Sequence, residues 1–386
     1  MKVRRLFILL SVSISLALII ISLFWKPILW AFVVVGPLIL MGVIDIFQTK
    51  HAIRKNFPVI GRLRYFFESF RPEIMQYFVE NDREGRPLDR VMRSMVYQRA
   101  KNVIDTVPFG TQMDVYEPGY EWMNHSMYAG KMKVDEAPRV MIGGEHCTQP
   151  YSSSLLNISA MSFGSLSKNA VLALNKGAKM GGFAHNTGEG GISPYHLEPG
   201  GDLIWQIGTG YFGCRDEKGR FNPELFAKNA QIENVKMIEL KISQGAKPGH
   251  GGILPAKKNT EEIAKIRHVK PHTDVDSPPS HSAFKDPEGL LKLIYQMREL
   301  SGGKPVGFKL CIGRKEEFID ICEAMVRTGL RPDFITIDGG EGGTGAAPVE
   351  FADHMCVPLN ESLRLVHNTL VGIGLRQQIK IGASGK

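Results

Sequence analysis

The stretch from Glu239 to Pro255, ELKISQGAKPGHGGILP, delivers a cation into a loop crowded with glycine. A run with period-two character ends at Ser243 and Gln244, and Lys247 follows among Gly245, Gly249, Gly251 and Gly252, which reads as a strand opening into a ligand loop. Lysine brings a compact charge there, and glycines let backbone N–H groups approach phosphate or carboxylate oxygens. One such loop is equally well a surface turn. Recurrence favours chemistry: apolar runs ending in small polar residues and glycines return at 155–164 (LLNISAMSFG), 183–191 (FAHNTGEGG) and 334–345 (FITIDGGEGGTG). In the second of these Glu189 stands between glycines, a carboxylate for the mouth of the site or an exposed loop acid.

Several strands that each end in such a loop, with helices between them, describe a β/α barrel whose site lies at the strands' C-terminal ends. Strands are expected at 155–161, 183–186, the run into Ser243, 273–277, 306–310, 334–338 and from 379 onward. Helices are expected at 168–180, with Ser167 as cap and Gly181 and Gly182 as stop, and at 260–268, 286–299, 315–328 and 359–373. Arg267 falls at the basic end of the second helix. Lys309 lies inside an apolar strand, where a lysine is costly unless it meets an anion or a partner. The strands number seven, one short of closure, so the expectation is a (β/α)8 TIM barrel that stops before its last unit.

Two motif matches carry less. Gly208-Thr-Gly-Tyr-Phe-Gly213 fits the dinucleotide fingerprint, but a charged turn, not a helix, follows it, so no helix N-terminus is offered to a pyrophosphate. Asp274, Asp276 and His281 follow no strong metal spacing and read as solvated loop side chains.

With 386 residues and 43% hydrophobic content the chain can bury a large core. Residues 1–72 carry ten Lys or Arg against two Asp or Glu, which accounts for the whole net charge of +8. No basic stripe remains for a duplex, which argues against a nucleic-acid partner. Cys147, Cys214, Cys311, Cys322 and Cys356 are scattered without pairing rhythm, as expected for buried thiols in a reducing compartment.

The N-terminal charge brackets two apolar runs, 6–25 and 27–47, each long enough to cross a hydrocarbon core. Lys2, Arg4 and Arg5 precede the first; Lys50, Arg54, Lys55, Arg62 and Arg64 follow the second. The positive-inside rule then predicts a transmembrane hairpin with everything after residue 50 facing the cytoplasm. A cleaved signal peptide is the rival reading, disfavoured by the length of the first run and the second run directly behind it. The expected domains are 1–50 as hairpin, 51–150 as a juxtamembrane helical extension, and 151–386 as the barrel. Within the extension, residues 85–100 have helical spacing and a basic opposite face, as a solvated helix would.

Six motifs, AMSFGSLS, HNTGEGG, SQGAKPGHGG, DSPPSH, VGFKL and IDGGEGGTGAAP, occur in the order and approximate spacing of the FMN-binding synthase domain of glutamate synthases. Residues 90–386 resemble that domain, and the chain as a whole is similar to the stand-alone, membrane-tethered members of the family. The resemblance implies FMN across the strand ends and reductive amination of 2-oxoglutarate with ammonia. It implies that Met161 and Ser162 border the flavin, that Lys309 lies near its pyrimidine edge, and that Glu189, Lys247 and Arg267 surround the oxo acid. Gly339 and Gly340, with the glycines of 342–345, would let backbone approach the cofactor, and the segment from Gly382 to Gly385 resembles the family's phosphate-binding turn.

The chain also departs from the family. No glutaminase domain is present, an iron–sulfur cluster is not supported by the five cysteines, and Ile253 stands where a glutamine is expected. Ammonia and electrons are therefore expected from other proteins. Two further readings stay open: a flavin barrel acting on another amino or oxo acid, for which Ile253 speaks, and a truncated non-catalytic remnant, for which the missing eighth unit speaks.

Overall fold

The computed structural model describes residues 2–128, 130 and 137–385; part of the expected 51–150 extension, residues 129 and 131–136, lies outside the described residues. Residues 1–124 and 125–386 form two compact units. The first contains α1 (Lys2–Ser22), α2 (Phe32–Phe47), α3 (Ala52–Asn56), α4 (Gly61–Ile74) and α5 (Arg90–Lys101). A 3-10 turn at Lys26–Ala31 joins α1 to α2, with proline in its first turn, where a missing N–H removes no bond. Segments Val3–Ser22 and Lys26–Phe47 are long and apolar enough to cross a membrane, and protein buries almost none of their surface. The two helices approach closely at Gly42, where a Cβ would stand 2.0 Å from the Phe7 ring.

Near the end of α2 the buried Asp45 is clamped. Arg62 donates from Nε to Oδ2 at 2.9 Å and from Nη2 to Oδ1 at 2.8 Å, and the Val59 N–H donates to Oδ2 at 3.1 Å. The clamp holds Val59 at φ +66, a left-handed conformation that a β-branched residue avoids unless its surroundings dictate it. The chain reverses there, and α4 begins beside the end of α2. Farther on, Asp89 caps α5 by accepting from the Met92 N–H at 2.8 Å, and Asn102 closes it in the left-handed region.

The second unit runs β1 (Arg139–Ile142), β2 (Tyr151–Ser154), α6 (Lys168–Gly181), β3 (His185–Asn186), α7 (Pro194–Leu197), β4 (Leu203–Ile207), α8 (Pro223–Ala230) and β5 (Val235–Lys241). It continues through β6 (Ile253–Leu254), α9 (Glu261–Arg267), β7 (Val275–Asp276), α10 (Pro287–Leu300), β8 (Val306–Cys311), α11 (Lys315–Thr328), β9 (Phe334–Asp338), α12 (Leu359–Gly372) and β10 (Lys380–Ser384). Six strands form one all-parallel sheet in the order β10-β9-β8-β5-β4-β3, and Ile158 adds an isolated parallel bridge to His185. This is a partial β/α barrel. Helix residues such as Phe226, Leu291, Ile294, Phe318 and Val366 pack against Trp205, Ile238, Leu240, Phe308 and Ile337 of the strands to make the core. Parallel strands covered on both faces read as unbroken apolar runs, and every residue of β4 and β8 is buried.

The strand assignments change in three places. Residues 155–161 form no strand: Leu155 and Leu156 are exposed, and only Ile158 bridges the sheet. The expected strand at 273–277 shrinks to β7, which pairs antiparallel with β6 in a separate two-stranded ribbon over the loop side. The second parallel strand in chain order is β4, LIWQI, which was not expected because its uniform burial leaves no alternation to detect.

Candidate functional site

The ends of β3, β4, β5, β8 and β9 and their loops enclose a cavity of about 590 Å³. One side is cationic. The Lys241 Nζ lies 3.1 Å and the Lys247 Nζ 3.8 Å from Oε1 of Glu189. Arg267 lies over the Phe212 ring at 5.1 Å, gives one Nη2 bond to the Phe163 carbonyl at 3.4 Å, and has an Nε–H with no acceptor among the described residues. Burial alone would raise the Glu189 carboxyl, but Lys241, Lys247 and Arg267 outweigh it and hold it below its ordinary value. Burial pushes Lys247 and Arg267 down, against the opposing pull of Glu189. Among the described residues three cations face one carboxylate, an excess of two positive charges.

Local backbone explains the placement. Glu189 fits only because Gly208 has no side chain: a Cβ there would stand 2.5 Å from Oε2. Gly208 of the fingerprint-like segment therefore makes room for a carboxylate, and no helix follows Gly213 before α8. Thr260 caps α9 by accepting from the Ile263 N–H at 3.3 Å, and α9 ends at Arg267 beneath the cavity.

The other side is polar and internally paired. The Lys309 Nζ meets Asp338 Oδ1 at 3.0 Å; the same oxygen accepts from Ser384 Oγ at 2.5 Å, while Oδ2 accepts from the Gly245 N–H at 2.8 Å. Below it the buried Glu239 accepts from Asn186 Nδ2 at 2.8 Å, Gln206 Nε2 at 2.7 Å and Thr336 Oγ1 at 2.6 Å. Gln206 lines the cavity, and with its amide nitrogen bound to Glu239 its oxygen is left to accept from a ligand. A second cavity of about 350 Å³ shares Ser159, Ala160, Lys309 and Gly385 with the first and runs along β10.

The structure brings Met161, Ser162, Glu189, Lys247, Arg267 and Lys309 to one cavity, and Ile253 joins them from β6. The Met161 carbonyl is held by His196 Nε2 at 3.0 Å, with Ser193 on the other ring nitrogen at 2.8 Å. At Gly339 a Cβ would strike Glu341 and Leu359, and at Gly340 the Cys356 carbonyl, so the loop packs closely on itself at both positions. Gly342, Gly343 and Gly345 line the cavity. Gly382 is inside β10, paired with Thr336, and not in a turn; Gly385, at φ +146, follows the strand and borders both cavities.

Lys241 was not expected in the site. It is two residues beyond Glu239 on the same face of β5, and it pairs in register with Lys309 of β8, so period-two reasoning from Glu239 would have found it. Asp338 was readable as the last residue of a strand, but not as the counter-charge of Lys309. His281 of the DSPPSH segment is engaged structurally, with Nε2 on the Lys241 carbonyl at 2.8 Å and Nδ1 on the Tyr211 hydroxyl at 3.0 Å.

The conserved region of glutamate synthase matches this chain over residues 98–386. The chain belongs to the glutamate synthase family. It is 39% identical over 379 residues to the glutamate synthase large subunit-like protein YerD of Bacillus subtilis, covering 88% of this chain and 72% of that protein. It is 39% identical over 227 residues to the archaeal-type NADPH glutamate synthase of Thermotoga neapolitana, covering 58% of this chain and 41% of the relative. Against the chloroplastic ferredoxin-dependent glutamate synthase of Oryza sativa subsp. japonica it is 31% identical over 280 residues, covering 66% of this chain and 16% of that one. The chain thus spans less than half the length of either of the latter two synthases. All six motifs of the glutamate synthase resemblance fall inside the matched span.

Proposed function

We propose that this chain is an FMN-dependent oxidoreductase that reductively aminates 2-oxoglutarate, or a closely similar dicarboxylic oxo acid, to the amino acid. The observation that carries this reading is the charge count at the cavity: among the described residues, an excess of two positive charges around Glu189, with a guanidinium N–H that has no acceptor, suits a dianion. Arg267 would take one carboxylate in bidentate fashion and Lys247 would hold the second or the oxo group. Glu189, kept ionised, would orient the two lysines and accept a hydrogen bond from the incoming nitrogen.

The cavity also fits FMN. Its volume lies in the range of cofactor sites, its Gly342–Gly345 wall offers bare backbone, and Gln206 presents an acceptor beside the donor Lys309. FMN would supply the hydride for the reduction. Met161 and Ser162 would border the ring, Lys309 would stand at its pyrimidine edge with its charge moderated by Asp338, and Gly385 would lie near the phosphate. Ammonia and electrons would come from other proteins. The first unit would anchor the enzyme through α1 and α2 as a membrane hairpin, with the basic flanks and the catalytic unit on the cytoplasmic side.

A second substrate is favoured by one observation: Ile253, an apolar side chain, borders the cavity beside the cationic cluster. It would suit an oxo acid with a less polar tail. The test is glutamate formation by the full chain supplied with FMN, chemically reduced, with 2-oxoglutarate and ammonium. Glutamate production supports the first reading; consumption of a monocarboxylic oxo acid in its place supports the second. Failure to retain FMN at excess cofactor overturns both and leaves the non-catalytic reading.

A further inference from the structure

Seven apolar residues of α4 and the π-helical turn that extends it (Met75–Val79), Leu63, Phe66, Phe67, Phe70, Ile74, Tyr77 and Phe78, recur at helical spacing along one stripe. All seven are exposed, from 44% at Ile74 to 86% at Phe78. Such a stripe needs a covering surface. We propose that α4 and its extension lie in the plane of the membrane as an interfacial helix, with the aromatic stripe among the lipid acyl–headgroup boundary and Arg64 and Arg71 facing anionic headgroups. The inference rests on the reading of α1 and α2 as membrane spans.

Three observations choose lipid over a protein partner. First, Asp45 is two residues before the end of α2, about 3 Å of helical rise, and its clamp on Arg62 and Val59 starts α4 at the level where the second span leaves the hydrocarbon. Second, Gly61 lets α3 and α4 meet almost backbone to backbone, since a Cβ there would stand 3.0 Å from the Ile53 carbonyl, so the helix cannot swing freely away from that level. Third, the stripe is aromatic more than aliphatic, as in helices that settle at membrane interfaces, and Arg64 and Arg71 beside it stand with Glu68 and Glu73 on the more polar side of α4. Tyr65, on the opposite side, is already occupied by Arg54 at 4.8 Å and His51 at 4.8 Å, which fixes the rotation of the helix and leaves the stripe free.

The test uses the full chain in nanodiscs of phosphatidylethanolamine and phosphatidylglycerol, with Phe67→benzoylphenylalanine as a photo-crosslinker and Leu16→benzoylphenylalanine in α1 as the span control. Lipid adducts at both positions are expected. Arg64→Gln and Arg71→Gln should each lower the phosphatidylglycerol share of the adduct at position 67 by about fivefold. A lipid adduct at 16 with a protein adduct, or none, at 67 overturns the interfacial helix and leaves the spans standing. No lipid adduct at either position overturns the spans and the helix together.

Discussion

The two sides of the cavity carry the same kinds of group and are built to opposite ends. Around Glu189 three cations share one carboxylate, and an Arg267 N–H has no acceptor among the described residues. Around Asp338 one lysine meets one carboxylate, and a hydroxyl and a backbone N–H use its remaining lone pairs. An open charge set stores attraction for an anion that has yet to arrive. A closed set spends it on holding strand ends in place. The contrast teaches that a lysine in a strand is not in itself a binding residue: Lys241 and Lys309 are register partners, and only their neighbours distinguish them.

The largest effect should come from opening the closed side. Asp338→Asn strips Lys309 of its counter-charge within the barrel and should lower stability by about 3 kcal/mol or more in urea unfolding. A double variant, Asp338→Leu with Lys309→Met, should recover most of that loss. A change under about 1 kcal/mol in the single variant would mean that Lys309 is solvated and the network is not closed.

Next, Lys247→Ala on the open side should weaken 2-oxoglutarate binding by about 30-fold in calorimetry, with little loss of stability. Unchanged affinity would remove Lys247 from the oxo-acid site. The pH profile sharpens the same point. Burial holds Lys247 below the ordinary lysine value of 10.5. Its charge is lost as pH rises through that lowered value, so oxo-acid affinity should fall on the alkaline side earlier than for a free lysine. The limb should vanish in Lys247→Ala.

The smallest effect is also the most discriminating. Glu189→Gln leaves three cations unopposed, so dianion binding should tighten by about fivefold while turnover falls, a split between KM and kcat. A raised KM with kcat unchanged would give Glu189 a binding role alone.

Much of this was legible because charge in an apolar or glycine-rich setting is conspicuous. Lys309 stands out in VGFKL, and Glu189 in TGEGG. Helix 315–328 and strand 334–338 were readable to the residue, the helix because Gly329 ends it in the left-handed region. What failed had a common physical source, since tertiary contacts leave no local trace. Nothing near Gly339 or Gly340 announces that Leu359 and the Cys356 carbonyl will fill the space above them. Leu155 and Leu156 have strand composition but no neighbour to pair with, and β4 is buried on both faces, so its sequence has no period. Lys241 was passed over because the loop beyond it drew attention to Lys247.

The register between β5 and β8 has a consequence for folding as well as for chemistry. Side chains alternate along a strand, so a slip of one residue in β5 would turn Glu239 and Lys241 outward against the helices and bring Ile238 and Leu240 into the mouth. Charged groups would then be pressed on apolar helix faces at a cost of several kcal/mol. The residues that give the cavity its charge thus also proofread strand alignment, and a chain that assembles them correctly has by that act rejected its nearest misfolded neighbour.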